Sequence, residues 1–361
     1  FEIKAIEEDM WHVLVPTYRV DVTRDVDVAE ELLRIYGFNE VPVPDQMRIS
    51  VAVHDPRPEK TERSVLDQLT GNGFYEIMNN SLAKGTDYTA LLPEVSASLI
   101  EMLNPLSLDL NVMRNNLLFG GLQSISFNQK RQQPNLRFFE RGKTYGKGSN
   151  GYYENVQLDL FAAGAQGEEY WDSRSQPNDY FWMKGLLESL FERLGLSVSS
   201  TTAQHSLYGE YVVFKSGKST IGCLGTVHPK VLKHFDIKGA VVHTSINWDQ
   251  CKNLVLQRGA SLFNNLPKFP SVRRDIALLV DRSEQYHNLQ DCILQVGKGL
   301  LINVFLFDVY DGDKLPADKK SYAIGMIFQD ANKTLNDKAV DKTVQRIVDQ
   351  LNKRTGAVLR Q

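Results

Sequence analysis

Two proline pairs, Val41-Pro-Val-Pro44 and Pro267-Lys-Phe-Pro270, divide the chain into three segments that no single helix can bridge. A proline lacks the backbone donor and pushes the residue before it toward extended chain, so each pair marks a boundary. With 361 residues to distribute, two or three domains with cores of their own are expected. In the first segment, residues 25–36 read as a helix. Val28, Leu32 and Ile35 recur at helical spacing, Asp25 or Asp27 can cap the start, and Gly37 stops it. Residues 17–22 alternate well enough for a strand.

The second segment, about 57–266, opens on a helix with Val65, Leu66 and Leu69 on one side, closed by Gly71 and Gly73. A strand over 74–79, a helix over 115–130 and strands over 136–139 and 156–162 follow. The helix expected over 178–194 has Phe181, Leu186, Leu190, Phe191 and Leu194 as its apolar set. Glycine-punctuated strands and a short helix over 229–235 complete an α+β pattern with a mostly antiparallel sheet. Gly222 and Gly225 lie in strand-like sequence, where they suggest bulges or close packing. In the third segment, strands over 273–280, 300–310 and 321–328 and a last one at 357–360 alternate with helices over 283–296 and 337–353. The order β-α-β-β-α-β is that of a ferredoxin-like sandwich.

Hydrophobic residues at 42% and charged residues at 24% are ordinary for a soluble globular protein. The longest nearly apolar run, 300–307, is far too short for a bilayer, so no membrane role is expected. No basic, apolar leader opens the chain, and a start at Phe1 suggests a fragment. Cys223, Cys251 and Cys292 are dispersed without C-x-x-C spacing, which fits a reducing cytoplasm better than a disulfide framework. Residues 268–361 hold 15 Lys+Arg against 12 Asp+Glu, net +3, while the remainder of the net −3 chain is at −6, a weak pointer to a polyanion-binding end.

Among candidate sites, Asp21, Asp27, Glu30 and Glu31 crowd the start of the first helix. A hard divalent cation with oxygen ligands would relieve their repulsion. Spacing alone favours a plainer account, in which acids suit a helix N-terminus and Glu30 pairs with Arg34. The histidines His12, His54, His205, His228, His234, His243 and His287 show no ligand spacing and read as surface or satisfied structural groups. Neither a phosphate loop nor a G-x-S-x-G elbow is present; Gly217-Lys-Ser219 reads as a strand–strand turn. Arg137, Arg141 and Lys143 could clamp a phosphate, yet such charges are more often the solvated face of a strand. In the third segment Lys268, Arg273, Arg274 and Lys298 mix with Phe269, Phe305, Phe307, Tyr310, Tyr322 and Phe328, a composition that suits a nucleic-acid platform. Arg273 and Arg274 are strand neighbours, so at most one can reach RNA; the other pairs with an acid such as Asp275 or Asp308.

Three stretches resemble the bacterial phenylalanyl-tRNA synthetase beta-subunit family over nearly the whole chain. Val15-Pro-Thr-Tyr-Arg-Val-Asp-Val-Thr-Arg-Asp-Val-Asp-Val-Ala-Glu-Glu-Leu-Leu-Arg-Ile-Tyr-Gly-Phe38 looks like the end of the family's winged-helix-like domain, here residues 1–45. The resemblance places four magnesium-ligand positions on Asp21, Asp27, Glu30 and Glu31. Thr17-Tyr18 stand where the family usually carries Ser-Trp. Asn111-Val-Met-Arg-Asn-Asn-Leu-Leu-Phe-Gly-Gly-Leu122 and Phe138-Phe-Glu-Arg-Gly-Lys143 are similar to its class II synthetase-like core, here 57–266, a degenerate and catalytically inert copy. Phe269-Pro-Ser-Val-Arg-Arg-Asp-Ile-Ala277 looks like the opening of its ferredoxin-fold anticodon-binding domain, here 268–361. The resemblance implies a non-catalytic scaffold in an α2β2 ligase. The alpha subunit uses ATP and Mg2+ to attach phenylalanine to its tRNA, and Arg273, Arg274 and Lys298 are RNA-contact candidates. The family's RNA-binding barrel and editing domain find no match here, so editing is not expected. A stand-alone RNA-binding or assembly protein is the alternative, and an active adenylate-forming core a third reading.

Overall fold

Strands β1 (Glu2–Glu7) and β2 (Met10–Leu14) form an antiparallel hairpin whose turn holds Glu8 at φ 42°. The computed structural model describes residues 1–47, 49–50, 55–168, 170–172, 176–258, 263, 265–313 and 315–360. It divides into two units, Phe1–Arg258 and Gly259–Gln361. The strand expected over 17–22 is instead two successive turns, with Arg19 N donating to Pro16 O and Val22 N to Arg19 O. A strand needs a partner, and the chain reverses at Pro16 after β2 has already taken β1. Helix α1 (Asp25–Tyr36) follows as expected, but it buries no side chain among the described residues, and Leu32 and Ile35 stay exposed.

The rest of the first unit is built on one seven-stranded sheet. Its elements are α2 (Arg57–Gly71), β3 (Tyr75–Glu76), β4 (Leu82–Ala83), α3 (Gly85–Leu91), β5 (Val112–Met113), α4 (Leu118–Gln129), β6 (Leu136–Gly148) and β7 (Gly151–Ala163). Then come α5 (Tyr180–Arg193), β8 (Ser199–Thr202), β9 (Tyr208–Ser216), β10 (Ser219–Val227), α6 (Pro229–His234), β11 (Val241–Asn247) and α7 (Trp248–Gln257). The sheet order is β3-β6-β7-β11-β10-β9-β8, antiparallel except for the parallel pair β3 and β6. Neighbouring residues on a strand face opposite sides. Phe138 and Phe161 therefore join α3, α4 and α6 through Tyr88, Phe119, Leu122 and Phe235, while Phe139 and Leu160 join α2, α5 and α7 through Leu69, Leu187, Phe191 and Trp248.

Two sequence expectations change here. β6 and β7 run on past residues 139 and before 156 as a hairpin closed at Gly148 and Gly151; its polar outer half is held by backbone pairing and carries no apolar alternation. Phe181 is 77% exposed and leaves the apolar set of α5, because it lies five residues before Leu186, about 140° round the helix. Gly225 behaves as expected: the ladder shifts register between Gly225 and Val227, and a Cβ there would lie 2.6 Å from the Tyr208 ring.

The second unit contains β12 (Val272–Asp281), α8 (Tyr286–Val296), β13 (Leu301–Tyr310), β14 (Lys319–Phe328), α9 (Asp337–Thr355) and β15 (Val358–Leu359). The sheet order β13-β14-β12-β15 completes the β-α-β-β-α-β sandwich. One face packs Leu278, Ile324 and Met326 against Leu289, Ile293, Ile347 and Leu351 of the two helices. α9 is capped by the Asn336 side chain, which accepts from Ala339 N, and ends where Gly356 takes a left-handed φ of 66°.

An ion pair lies inside the first unit. Arg114 is 7% and Glu140 1% exposed, and Arg114 Nη1 donates to Glu140 Oε1 at 2.5 Å. Glu140 also accepts from Asn79 N at 3.2 Å and Asn79 Nδ2 at 2.6 Å. Removing one partner of such a pair strands the other charge, at about 3–5 kcal/mol. Glu140→Ala should lower the unfolding free energy by that order in urea titrations. A loss under about 1 kcal/mol, the scale of an exposed pair, would mean that water reaches Arg114.

Candidate functional site

The acidic start of α1 is organised around arginines. The Arg19 guanidinium stands between two of the four candidate ligands, with Nη2 2.8 Å from Asp21 Oδ2 and 2.7 Å from Glu31 Oε1. Arg34 reaches Glu31 from the next turn at 3.2 Å. Asp27 serves the helix start: its Oδ2 accepts from Thr23 N and Arg24 N at 3.0 and 2.9 Å, while Arg24 Nη2 meets its Oδ1 at 2.9 Å. Arg24 beside it, with those two backbone donors, holds the Asp27 carboxyl down at about 2. Glu30 points to an exposed position. Asp21 and Glu31 are thus brought together through a cation that the protein itself supplies. Among the described residues, no group of three or more His, Cys, Asp or Glu side chains is placed to hold a metal. As placed, the four carboxylates do not fit a divalent ion.

On the second unit, Arg273 and Arg274 leave β12 on opposite faces. Arg274 turns to the helix side, where it pairs with Asp337 at 2.5 Å and Asp341 at 3.0 Å, not with Asp275 or Asp308. Arg273 lies on the other face, where Nε donates to Asp275 at 2.8 Å. Its guanidinium rests 5.1 Å from the Phe305 ring and 5.4 Å from that of Phe307. Phe307 is 50% exposed, beside a register shift between Leu306 and Asp308. This face therefore presents a cation on two aromatic rings, a chemistry that suits base stacking and a phosphate. Lys298 is exposed in the turn after α8, and Phe328 is core.

The other candidates are structural. Arg137 donates to Asn72 O, Gln166 O and Asn178 Oδ1, and burial pushes its pKa down. Arg141 pairs with Glu62 and Lys143 with Glu154. His234 meets Asp87 at 2.9 Å; His54 lies outside the described residues. Sequence reasoning missed a buried chain in which Tyr208 Oη lies 2.7 Å from His243 Nδ1 and His243 Nε2 lies 2.9 Å from Asp159 Oδ2. Ser245 Oγ donates to the other Asp159 oxygen at 2.6 Å. The signal was there: a histidine within the apolar run of β11 needs a partner. Among the described residues, no helix is long and apolar enough to cross a membrane.

A family profile described as the phenylalanyl tRNA synthetase beta chain CLM domain matches residues 45–248, more than half of the chain. A ferredoxin-fold anticodon binding domain profile matches 267–360, and a tRNA synthetase B5 domain profile matches 1–38. A phenylalanine–tRNA ligase beta subunit from Bacteroides fragilis is 37% identical over 99% of this chain and 46% of its own length. Those of Porphyromonas gingivalis and Carboxydothermus hydrogenoformans are 36% and 34% identical over 99% of this chain and 45% of theirs. The chain thus spans about half the length of these relatives. Among solved structures, a pyrrolysyl-tRNA synthetase from Desulfitobacterium hafniense aligns over 65% of this chain and 79% of its own, at 13% identity and a TM-score of 0.45, too slight a likeness to argue from. The chain belongs to the phenylalanine–tRNA ligase beta-subunit family.

The Asp27 geometry has a consequence for pH. A carboxyl held below its ordinary 3.8 stabilises the fold above pH 4, and that contribution fades as pH falls through the folded value near 2. The amide proton shifts of Thr23 and Arg24 should therefore titrate with a midpoint close to 2, and Asp27→Asn should abolish the titration. A midpoint at the ordinary value would show that the cap is not formed in solution.

Proposed function

We propose that this chain is the C-terminal part of a non-catalytic beta subunit. It scaffolds an alpha subunit in an α2β2 assembly that uses ATP and magnesium to join phenylalanine to its tRNA. The observation that carries the reading is the Arg273–Phe305–Phe307 platform, on the helix-free face of a ferredoxin-like sheet within the stretch matched by the anticodon-binding profile. Lys298, exposed in the same domain, is a further RNA-contact candidate, and Arg274 supports the sheet from behind through α9.

Within this reading, residues 1–45 are the end of a winged-helix-like domain, 57–266 a class II synthetase-like core and 268–361 the anticodon-binding domain. The core's silence follows from how its arginines are engaged. Activation of an amino acid needs cations converging on ATP phosphates, whereas Arg114 is locked on Glu140, Arg141 on Glu62 and Arg137 on carbonyl oxygens. Asp21, Asp27, Glu30 and Glu31 enter as magnesium ligands only if Arg19 first releases Asp21 and Glu31, so no step is routed through a metal here. A cytoplasmic setting suits the three free thiols, Cys223, Cys251 and Cys292.

The test uses the complete beta subunit assembled with its alpha subunit. Phe307→Ala should weaken tRNA binding roughly tenfold, the order of one lost base stack. Arg273→Ala should weaken it by less and leave the salt slope nearly unchanged, because Asp275 already neutralises the guanidinium. Arg274→Ala should lower the melting temperature while leaving tRNA affinity near wild type. Equal affinity for all three variants would remove the platform from the reading, and pyrophosphate exchange by this chain alone would overturn the silent core.

A further inference from the structure

Arg273, Phe305 and Phe307 occupy one end of the helix-free sheet face, and further along it a second cation rests on a ring. β15 pairs with β12 through Val358 and Leu279, and Arg360 N then donates to Ala277 O at 2.8 Å. Side chains alternate along a strand, and Leu278, opposite Leu359, lies in the core. Arg360 therefore stands on the helix-free side, in a row with Ala277 of β12 and Ala323 of β14. That row raises only methyl groups between β15 and β13. The Arg360 arm can lie across both strands, and its guanidinium rests 5.1 Å from the Tyr310 ring.

Charge balance separates Arg360 from the other cations of this face. Arg273 pairs with Asp275 at 2.8 Å, and Lys319 pairs with Asp281 at 2.5 Å. Arg360 is exposed and meets no carboxylate among the described residues; Asp308, in the same row on β13, makes no ion pair with it. Contact with a ring orients a guanidinium without neutralising it, so its N–H groups keep their charge for an incoming anion. A backbone phosphate is the anion that fits, because Phe305 and Phe307 offer faces for bases on the same strand. They lie roughly 10–15 Å from Tyr310 at about 3.3 Å per residue. Four-stranded sheets of this kind stack two or three unpaired bases, a run that covers such a distance. We propose that Arg360 is the phosphate contact that gives this face its salt-dependent affinity for unpaired RNA. The inference rests on the RNA-binding reading above and divides the labour within it: the balanced Arg273 orients, and the unbalanced Arg360 displaces counterions.

The test is tRNA binding by the complete beta subunit, assembled with its alpha subunit, between about 50 and 200 mM salt. Each phosphate neutralised on a single strand adds about 0.7 to the slope of log K against log salt. Arg360→Ala should flatten the slope by about that amount, so its deficit against wild type should shrink about 2.6-fold across the range. Arg360→Lys keeps the charge and should keep the slope. Arg360→Gln serves if the alanine variant does not fold, although β15 is held through backbone groups. An unchanged slope in a folded neutral variant would overturn the proposal, as would an Arg360→Lys slope as flat as that of Arg360→Ala. Phe307→Ala keeps the two claims apart. Wild-type affinity in that variant counts against the aromatic platform, whereas a loss there beside an unchanged slope in Arg360→Ala removes the Arg360 contact alone.

Discussion

Glu140 and Arg114 meet in the interior of the first unit, and several separately folded stretches depend on their meeting. Glu140 is carried by β6; Arg114 arrives just after β5, and Asn79 from the bend after β3. Asn79 in turn accepts from Ser124 of α4 at 2.8 Å, which ties a helix to the same carboxylate. Arg114 closes the arrangement by donating from Nε to Lys143 O, while its own carbonyl accepts from Tyr145 N. Neither charge can be left alone in a dry interior, so these stretches have one mutual placement in which the pair is satisfied. That placement also explains why β3 is so short. The chain leaves the ladder after Glu76 and bends so that Asn79 can deliver two donors to Glu140.

The sheet itself poses the same problem a second time. Helices cover both of its faces, so β11 and the inner half of β7 are buried nearly without interruption, and the ionisable side chains there are answered by neighbouring strands. Asp159, His243, Ser245 and Tyr208 answer one another across β7, β11 and the start of β9. The Tyr208 ring stacks at 5.9 Å on His243 and occupies the space that the missing side chain of Gly225 leaves. A polar chain of this kind specifies register, because a slip of one residue would turn Asp159 and His243 to opposite faces with no partner. Two buried polar networks, more than any single apolar cluster, therefore fix which strands lie side by side.

The sequence is most legible where one physical signal dominates. The helices α1, α2 and α9 follow from apolar spacing closed by a stop, and Gly356 takes the left-handed turn that its place after α9 calls for. It is least legible where pairing is carried by backbone alone, as in β1 and β2 or the outer half of β6 and β7, whose side chains have no apolar face to alternate. The acidic cluster is an intermediate case. Spacing crowds these acids at the start of α1, but spacing cannot say what stands between them. Arg19, two residues before Asp21, was the available signal: a guanidinium with a rigid fork can meet two carboxylates at once and is held in place by doing so.

Arginine pairing also decides what the second unit can offer a polyanion. Several of its cations are already answered by acids of the chain: Arg273 pairs with Asp275, Arg274 with Asp337 and Asp341, Arg282 with Asp311 and Lys319 with Asp281. A phosphate reaching Arg273 meets a guanidinium whose charge Asp275 already balances, so the net electrostatic gain is small. Counterion release then contributes little, because the cation was already neutralised by the protein. What this pairing does not touch is the face of the aromatic rings. Phe307 stays half exposed whichever anion Arg273 holds, and stacking of a base on it requires no partner to leave. In the proposed complex, affinity at this end of the face would be carried by the rings, and the arginine would set where along the strand the RNA backbone can lie.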